Sequence, residues 1–299
     1  MDPSVAAAVD RLREDATSGA SELLPHAIEI LRGTGDLLPD AALDVARAVG
    51  QAQPSMASLW NAALAALGER RRPGRLARFD ERRRRAPDAL VRCALDQLLL
   101  PGAGPLHVVT ISFSGSIVAC LRAAARRVRL RVSCAEGRPG LEGRRMARAL
   151  AESGIAVDLR GDAALGEALG QDAKGETIVL VGADAVTPGW MLNKTGTSML
   201  AAAAARLGVP VYVVAARDKF MDPRAARLLR IVEHDPREVW DEAPAGVVVR
   251  NGWFERVPGD LLTGVITEAG TLSPDMLEEA CRAASADVAD EDIASLLGE

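Results

Sequence analysis

A chain of 299 residues with 48% apolar content can bury a substantial core as one large domain or two modest ones. Its net charge of −5 argues against a general polyanion binder, and four scattered cysteines (Cys93, Cys120, Cys134, Cys281) without a CxxC pair exclude a disulfide framework or zinc site. The amphipathic, charged N-terminus does not read as a signal peptide, and no apolar run nears the ~20 residues of a membrane span, so a soluble cytoplasmic protein is expected.

The first hundred residues carry a helical period only. Apolar residues recur at three-to-four spacing over Ser4–Asp15, Ser21–Arg32, Asp40–Ala52 and Ser55–Gly68, and a further helix is predicted over Pro87–Leu100. Pro101-Gly102-Ala103-Gly104-Pro105 then breaks the pattern. Beyond it strands alternate with helices: HVVTISFS then GSIVACLRAAARR, LRVSCAEG then LEGRRMARALAESG, IAVDLRG then ALGEALGQ, ETIVLVGAD then TSMLAAAAARLG, and VPVYVVAA. That alternation predicts βαβ units, a mostly parallel sheet and helices on both faces. The expected organisation is an α/β protein with a helical N-terminal domain (residues 1–103) and a Rossmann-like domain (residues 104–299). Right-handed crossovers would put the strand C-termini on one edge, where such sheets bind ligands.

Polar turns fall on that edge. In SFSGS, Ser114, Gly115 and Ser116 open a helix whose first N–H groups and dipole suit an anion, although glycine and serine are also ordinary helix-start residues. In EGRPGLEG, Arg138 between Gly137 and Pro139 could clamp a phosphate or simply pair with Glu136 or Glu142. In GADAVTPGWMLNKTGT, Asp184 ends an apolar strand, where desolvation would raise its pKa and suit it to proton transfer. Asn193 and Lys194 are expected where the next helix begins, able to meet one anion. The same stretch also fits a plain connection in which Asp184 caps a turn and Lys194 neutralises it. Gln53-Pro54-Ser55-Met56 reads as a helix start.

Together these stretches resemble the translation initiation factor 2B alpha/beta/delta family, which includes methylthioribose-1-phosphate isomerase and ribose-1,5-bisphosphate isomerase. The resemblance rests on AQPSMASLWNA, HVVTISFSGSIV, EGRPGLEGRRMARALAESGIAVDL, VGADAVTPGWMLNKTGT, GVPVYVVAARDKF and GVITEAGTLSP, in family order over about residues 25–280. It implies a homodimer through the C-terminal domain and a phosphosugar pocket between the domains. It also implies an aspartate, here Asp184, working beside a cysteine in the first strand's exit turn. Ser112 stands where that cysteine would be, and a hydroxyl is far less acidic than a thiol of pKa ~8.5. Cys120 and Cys134 read as small core residues. Trp190 is expected to reshape or partly fill the pocket.

The arginine run Glu69–Arg85 holds nine arginines and one aromatic, Phe79. In an acidic chain it reads as a solvated helix or connecting loop rather than a nucleic-acid surface. The functional expectation is a protein that binds a phosphorylated sugar and is a candidate aldose–ketose isomerase. Asp184 and Ser112 stand at the reacting centre; Ser114, Gly115, Ser116, Arg138 and Lys194 hold phosphate, and Asn193 orients a hydroxyl. No metal or cofactor is called for. The alternative is a non-catalytic regulatory or scaffold protein sensing a phosphorylated metabolite or nucleotide.

Overall fold

The computed structural model describes residues 1–99, 104–170 and 176–299. Five helices come first: α1 (Pro3–Glu14), α2 (Ala20–Arg32), α3 (Pro39–Ala52), α4 (Ala57–Leu67) and α5 (Arg75–Leu98). Helix α4, ASLWNAALAAL, is apolar on nearly every side and is accordingly the buried centre of this layer. Trp60 lies against Gly50 of α3, where a Cβ would stand 2.2 Å from the indole, so only glycine lets the two helices close.

Helix α5 starts at Arg75, well before the expected Pro87. Asp80 collects Arg83 at 2.8 Å and Arg84 one residue further on, tying the arginine run into helical turns. Pro87 then removes a single hydrogen bond inside an established helix instead of starting it. The expected breaker Pro101-Gly102-Ala103, like Leu100, lies outside the described residues.

The rest of the chain runs β1 (Leu106–Thr110), α6 (Gly115–Ala124), β2 (Leu130–Ala135), α7 (Glu142–Ala151), β3 (Ala156–Arg160), β4 (Glu176–Val181), β5 (Ala185–Val186), β6 (Trp190–Lys194), α8 (Thr197–Leu207), β7 (Val211–Val214), β8 (Phe254–Pro258), β9 (Gly264–Thr267), β10 (Gly270–Leu272), α9 (Leu277–Ala284) and α10 (Asp290–Leu297). The main sheet has the order β10-β9-β7-β4-β1-β2-β3, parallel except for β10. Val108 faces a core with α5, α6 and α7, while its neighbour Val109 faces one with α8 and α9, so helices cover both faces. The segment Ala164–Gln171, expected as an α-helix, forms a 3-10 run over Asp162–Gly170, whose two glycines weaken a regular helix; Gln171 is outside the described residues.

Strand β1 pairs with β2 on one side and β4 on the other, and the chain reverses direction across the sheet between β1 and β4. Their C-terminal ends therefore diverge into a crevice, the place where open α/β sheets hold ligands. A second, three-stranded antiparallel sheet, β5-β6-β8, rises beyond that edge. The sequence reading had a loop there: GADAVTPGWMLNKTGT folds back on itself, with Ala185 opposite Leu192. Helix α10 returns to the helical layer, where Arg47 binds the Ser295 carbonyl at 2.6 Å, and Ile293 and Leu296 join its core.

Candidate functional site

A cavity of about 320 Å³ opens at the crevice. Its walls are the Asp15–Gly19 loop, the Gln51–Met56 connection between α3 and α4, and the turn after β1. Glu142, Asp184 and Lys194 close one side, and His234 with Trp253 the other. A smaller cavity of about 60 Å³ adjoins it and shares Ser112, Phe113 and Asp184. Helices and sheet meet at this point: the Ala57 N–H donates to the Asp184 carbonyl at 2.9 Å, and the Asp184 N–H to the Leu192 carbonyl at 2.8 Å.

Asp184 is the centre of the arrangement. Burial pushes its carboxyl above the usual carboxylate range, and the nearby Lys219 and Lys194 ammonium groups oppose that only in part. Lys219 is itself buried and donates to the Ala183 carbonyl at 2.6 Å. Of the three lysines in a chain that otherwise uses arginine, two flank this aspartate. A compact ammonium is the cation that fits beside a single carboxyl without a guanidinium's fork.

Lys194 and Asn193 occupy successive positions on β6, so their side chains point to opposite sides. Lys194 lines the larger cavity, where its Nζ lies 2.5 Å from Glu142 Oε1 and 4.9 Å over the Trp253 ring. Asn193 lines the smaller one and donates to Thr197 Oγ1 at 3.0 Å. The sequence reading placed both at the start of the following helix; they belong to a strand. The N-terminus of α8 is also closed to a ligand, because Glu255 Oε1 accepts from the Gly196 and Ser198 N–H groups at 2.8 Å each.

Ser112 adopts φ 68°, and its hydroxyl donates to Glu142 Oε1 at 3.4 Å. Glu142 is held there by Gly143: a Cβ at that position would stand 1.7 Å from the Ala135 carbonyl oxygen, so α7 can begin against the end of β2 only with glycine. Ser114 caps α6 by accepting from the Ile117 N–H at 3.4 Å, and Ser114 and Gly115 line the smaller cavity.

Ser116 and Arg138 do not join this group. Ser116 faces a separate cavity against α5. Arg138 is exposed and donates through Nε to Glu136 Oε1 at 3.1 Å, while its backbone N–H binds Asp162 Oδ2. The acid beside it in sequence and the strand exit of β3 draw it outward. Trp190 also stays out: its ring lies under the Arg256 guanidinium at 4.5 Å and packs on the helical core. Cys120 and Cys134 are buried core residues, their thiols pushed by burial to about 12 and about 11.

Sequence reasoning missed His234 and Trp253, which arrive from the irregular stretch between β7 and β8 and stack at 3.9 Å. Burial lowers the His234 pKa, and among the described residues its Nε2 has no hydrogen-bond partner. Gln53 was read as part of a helix start; it lines the cavity while its amide fastens α1 through the Leu12 and Asp15 carbonyls at 2.8 and 3.0 Å. No cue from periodicity marks these residues, because irregular backbone carries them.

These features define an α/β protein with a polar, lysine-bearing cavity at a sheet switch point, closed over by a helical layer. The chain belongs to the Initiation factor 2 subunit family, whose sequence model matches residues 44–274. It is 33% identical over 239 residues to the putative translation initiation factor eIF-2B subunit 2-like protein of Pyrococcus furiosus, covering 79% of this chain and 83% of the relative. It is 38% identical over 153 residues to the ribose 1,5-bisphosphate isomerase of Archaeoglobus fulgidus, covering 50% and 47%. Among solved structures, the Pyrococcus horikoshii translation initiation factor eIF-2B superposes with a TM-score of 0.76 at 29% identity, over 92% of this chain and 98% of that one. The family thus spans initiation-factor-like proteins and sugar-phosphate isomerases. Among the described residues no helix is long and apolar enough to cross a membrane.

Proposed function

We propose that the two adjoining cavities bind a phosphorylated sugar and that Asp184 carries out proton transfer in an aldose–ketose isomerisation of a sugar 1-phosphate. The observation that carries this reading is the desolvated Asp184 carboxyl, held between Lys194 and Lys219 at the crevice. A carboxyl whose pKa is raised by burial is suited to act as a general acid. The cavity volume falls in the range of about 300–1,000 Å³ typical of small-molecule sites.

In the proposed course Asp184 donates its proton to the ring oxygen as the C1–O bond to that oxygen breaks. The hydrogen on C2 then moves with its electron pair to C1, and the hydroxyl on C2 loses its proton to the Asp184 carboxylate as the C2 carbonyl forms. Atoms and charge balance, the product is the ketose isomer, and the acid is regenerated. Lys194 and the open N–H groups at the start of α6 hold the phosphate; Asn193 and His234 Nε2 orient hydroxyls. Ser112, hydrogen-bonded to Glu142, positions that carboxylate against Lys194.

A second reading is a non-catalytic sensor of a phosphorylated metabolite, favoured by Ser112, a hydroxyl where the family's isomerases are expected to carry a thiol. Both readings include a homodimer through the sheet-bearing half; exposed Val239, Trp240 and Val248 support such an interface. The test is incubation with ribose 1,5-bisphosphate and methylthioribose 1-phosphate, with thermal shift in parallel. Turnover abolished by Asp184→Asn supports catalysis, and stabilisation without turnover supports the sensor. Absence of any shift with sugar phosphates and nucleotides alike refutes both.

A further inference from the structure

A larger cavity, about 500 Å³, lies away from Asp184 between α5, the turn Arg217–Lys219, the turn after β9 and the end of α9. Arg75, Arg78, Arg82 and Arg85 line it from one helix at spacings of three, four and three residues, which places them on a single stripe.

The nine arginines of this run divide according to where they point. Outside the cavity Arg71 pairs with Glu291 and Asp292 and Arg84 with Asp80, and Arg72 pairs with Asp287, which lines it. At its rim Arg83 pairs with Asp80 and Arg85 with Glu81. Among the described residues Arg75, Arg78 and Arg82 form no ion pair, and all three line the cavity; Arg78 donates only to the Pro73 carbonyl at 3.0 Å. Arg75 is half-buried, and its own burial together with the facing Arg71, Arg72 and Arg82 lowers its pKa despite Asp292. Positive charge is therefore concentrated where it is least compensated.

We propose that this cavity is a second ligand site, which takes the polyphosphate group of a small molecule. From Arg75 to Arg82 the helix rises about 10 Å, at ~1.5 Å per residue. Three guanidiniums in line over that distance match a chain of linked phosphates better than a single one, and each can grip oxygens in fork geometry. Phe79, Ala86, Ala89 and Val288 give the cavity apolar surface, Arg217 adds a further guanidinium, and the carboxyl groups of Asp218, Glu268 and Asp287, fewer than the arginines, also line it. The enclosure favours a small ligand over a nucleic-acid strand, which would use the outer arginines that are already neutralised.

The phosphate chain could be inorganic or belong to a nucleoside triphosphate, so calorimetric titration uses both tripolyphosphate and ATP at fixed ionic strength. Both are expected to bind the full chain, and Arg78→Gln with Arg82→Gln, both exposed, should weaken binding at least ~10-fold. Tighter binding of ATP assigns the site to a nucleotide; equal binding assigns it to the phosphate chain. Arg70→Gln, outside the cavity on the Leu37 carbonyl, should change affinity less than ~2-fold. Lys194→Ala should leave tripolyphosphate binding intact, whatever becomes of the sugar-phosphate site. The proposal is overturned if neither probe binds, if Arg70→Gln weakens binding as much as the cavity pair, or if Lys194→Ala abolishes it. It is also overturned if a single-stranded oligonucleotide binds through these arginines and tripolyphosphate does not compete.

Discussion

Lys194 and Glu142 form an ion pair at 2.5 Å inside the cavity, one on a strand of the small sheet and the other at the first residue of α7. The pair joins two elements that no backbone ladder connects, and it leaves the remaining ammonium protons for an anion. Lys194→Ala is expected to weaken phosphosugar binding about tenfold or more, since a charge-assisted hydrogen bond is worth ~1.5–3 kcal/mol. It should also destabilise the fold by leaving Glu142 without its cation. Calorimetry and denaturant titration measure the two effects, and Lys194→Ala combined with Glu142→Gln should recover part of the stability but not the binding.

Asp184 holds its proton to higher pH in the folded chain than in the unfolded one. Between the ordinary aspartate value near 3.8 and its raised native value the folded state binds more protons, so stability from this group falls as pH rises through that window. Asp184→Asn should flatten that part of the stability profile, keep sugar-phosphate binding and abolish turnover. If the acid form is the working form, the wild-type rate should decline as pH rises through the native pKa. A mutant that retains the wild-type rate removes Asp184 from the chemistry.

Burial pushes Asp218 to about 6, helped by Glu268 and opposed by Lys219 and Arg83. The sign is the same: its contribution is most favourable below about 4 and is lost by about pH 6. Asp218→Asn should therefore raise stability at pH 7.5 relative to pH 4, by at most ~3 kcal/mol. Urea midpoints at the two pH values measure this.

Gly143→Ala drives a methyl into the Ala135 carbonyl, which is backbone and cannot move aside cheaply. We expect a loss of at least ~1–3 kcal/mol in stability, and displacement of Glu142 with loss of sugar-phosphate affinity. Arg138→Ala should change that affinity less than ~2-fold, since its guanidinium lies on Glu136 at the surface. A large loss would mean that ligand binding draws Arg138 inward.

The fold was legible wherever period decides structure. The helical layer, the alternation that builds the parallel sheet, and the crevice at its edge follow from apolar spacing and crossover handedness. The extent of α5 was not, because Pro87 suggests a start and only the reach of Asp80 to Arg83 and Arg84 shows that the helix is already running. The small sheet was missed because two-residue β5 is too short to show an alternating pattern, and β8, the other partner of β6, lies some sixty residues on. At the site Asp184 and Lys194 could be read from a strand end and its return. His234 and Lys219 could not, since contacts distant in sequence bring them there. Arg138 and Ser116 lie apart from that group, and the neighbours that decide it, Glu136 for the one and α5 for the other, are visible only in the fold.

The turn Arg217–Lys219 reaches both cavities. Asp218 faces the arginines, and Lys219 lies with Asp184 on the crevice side, while Asn61 pins the backbone through the Asp218 and Phe220 carbonyls at 2.7 and 3.0 Å. The Lys219 ammonium lowers the pKa of both carboxyls. The two acids therefore share one cation, which favours the ionised form of each. Replacing Lys219 would thus reach the acids of both cavities through a three-residue turn.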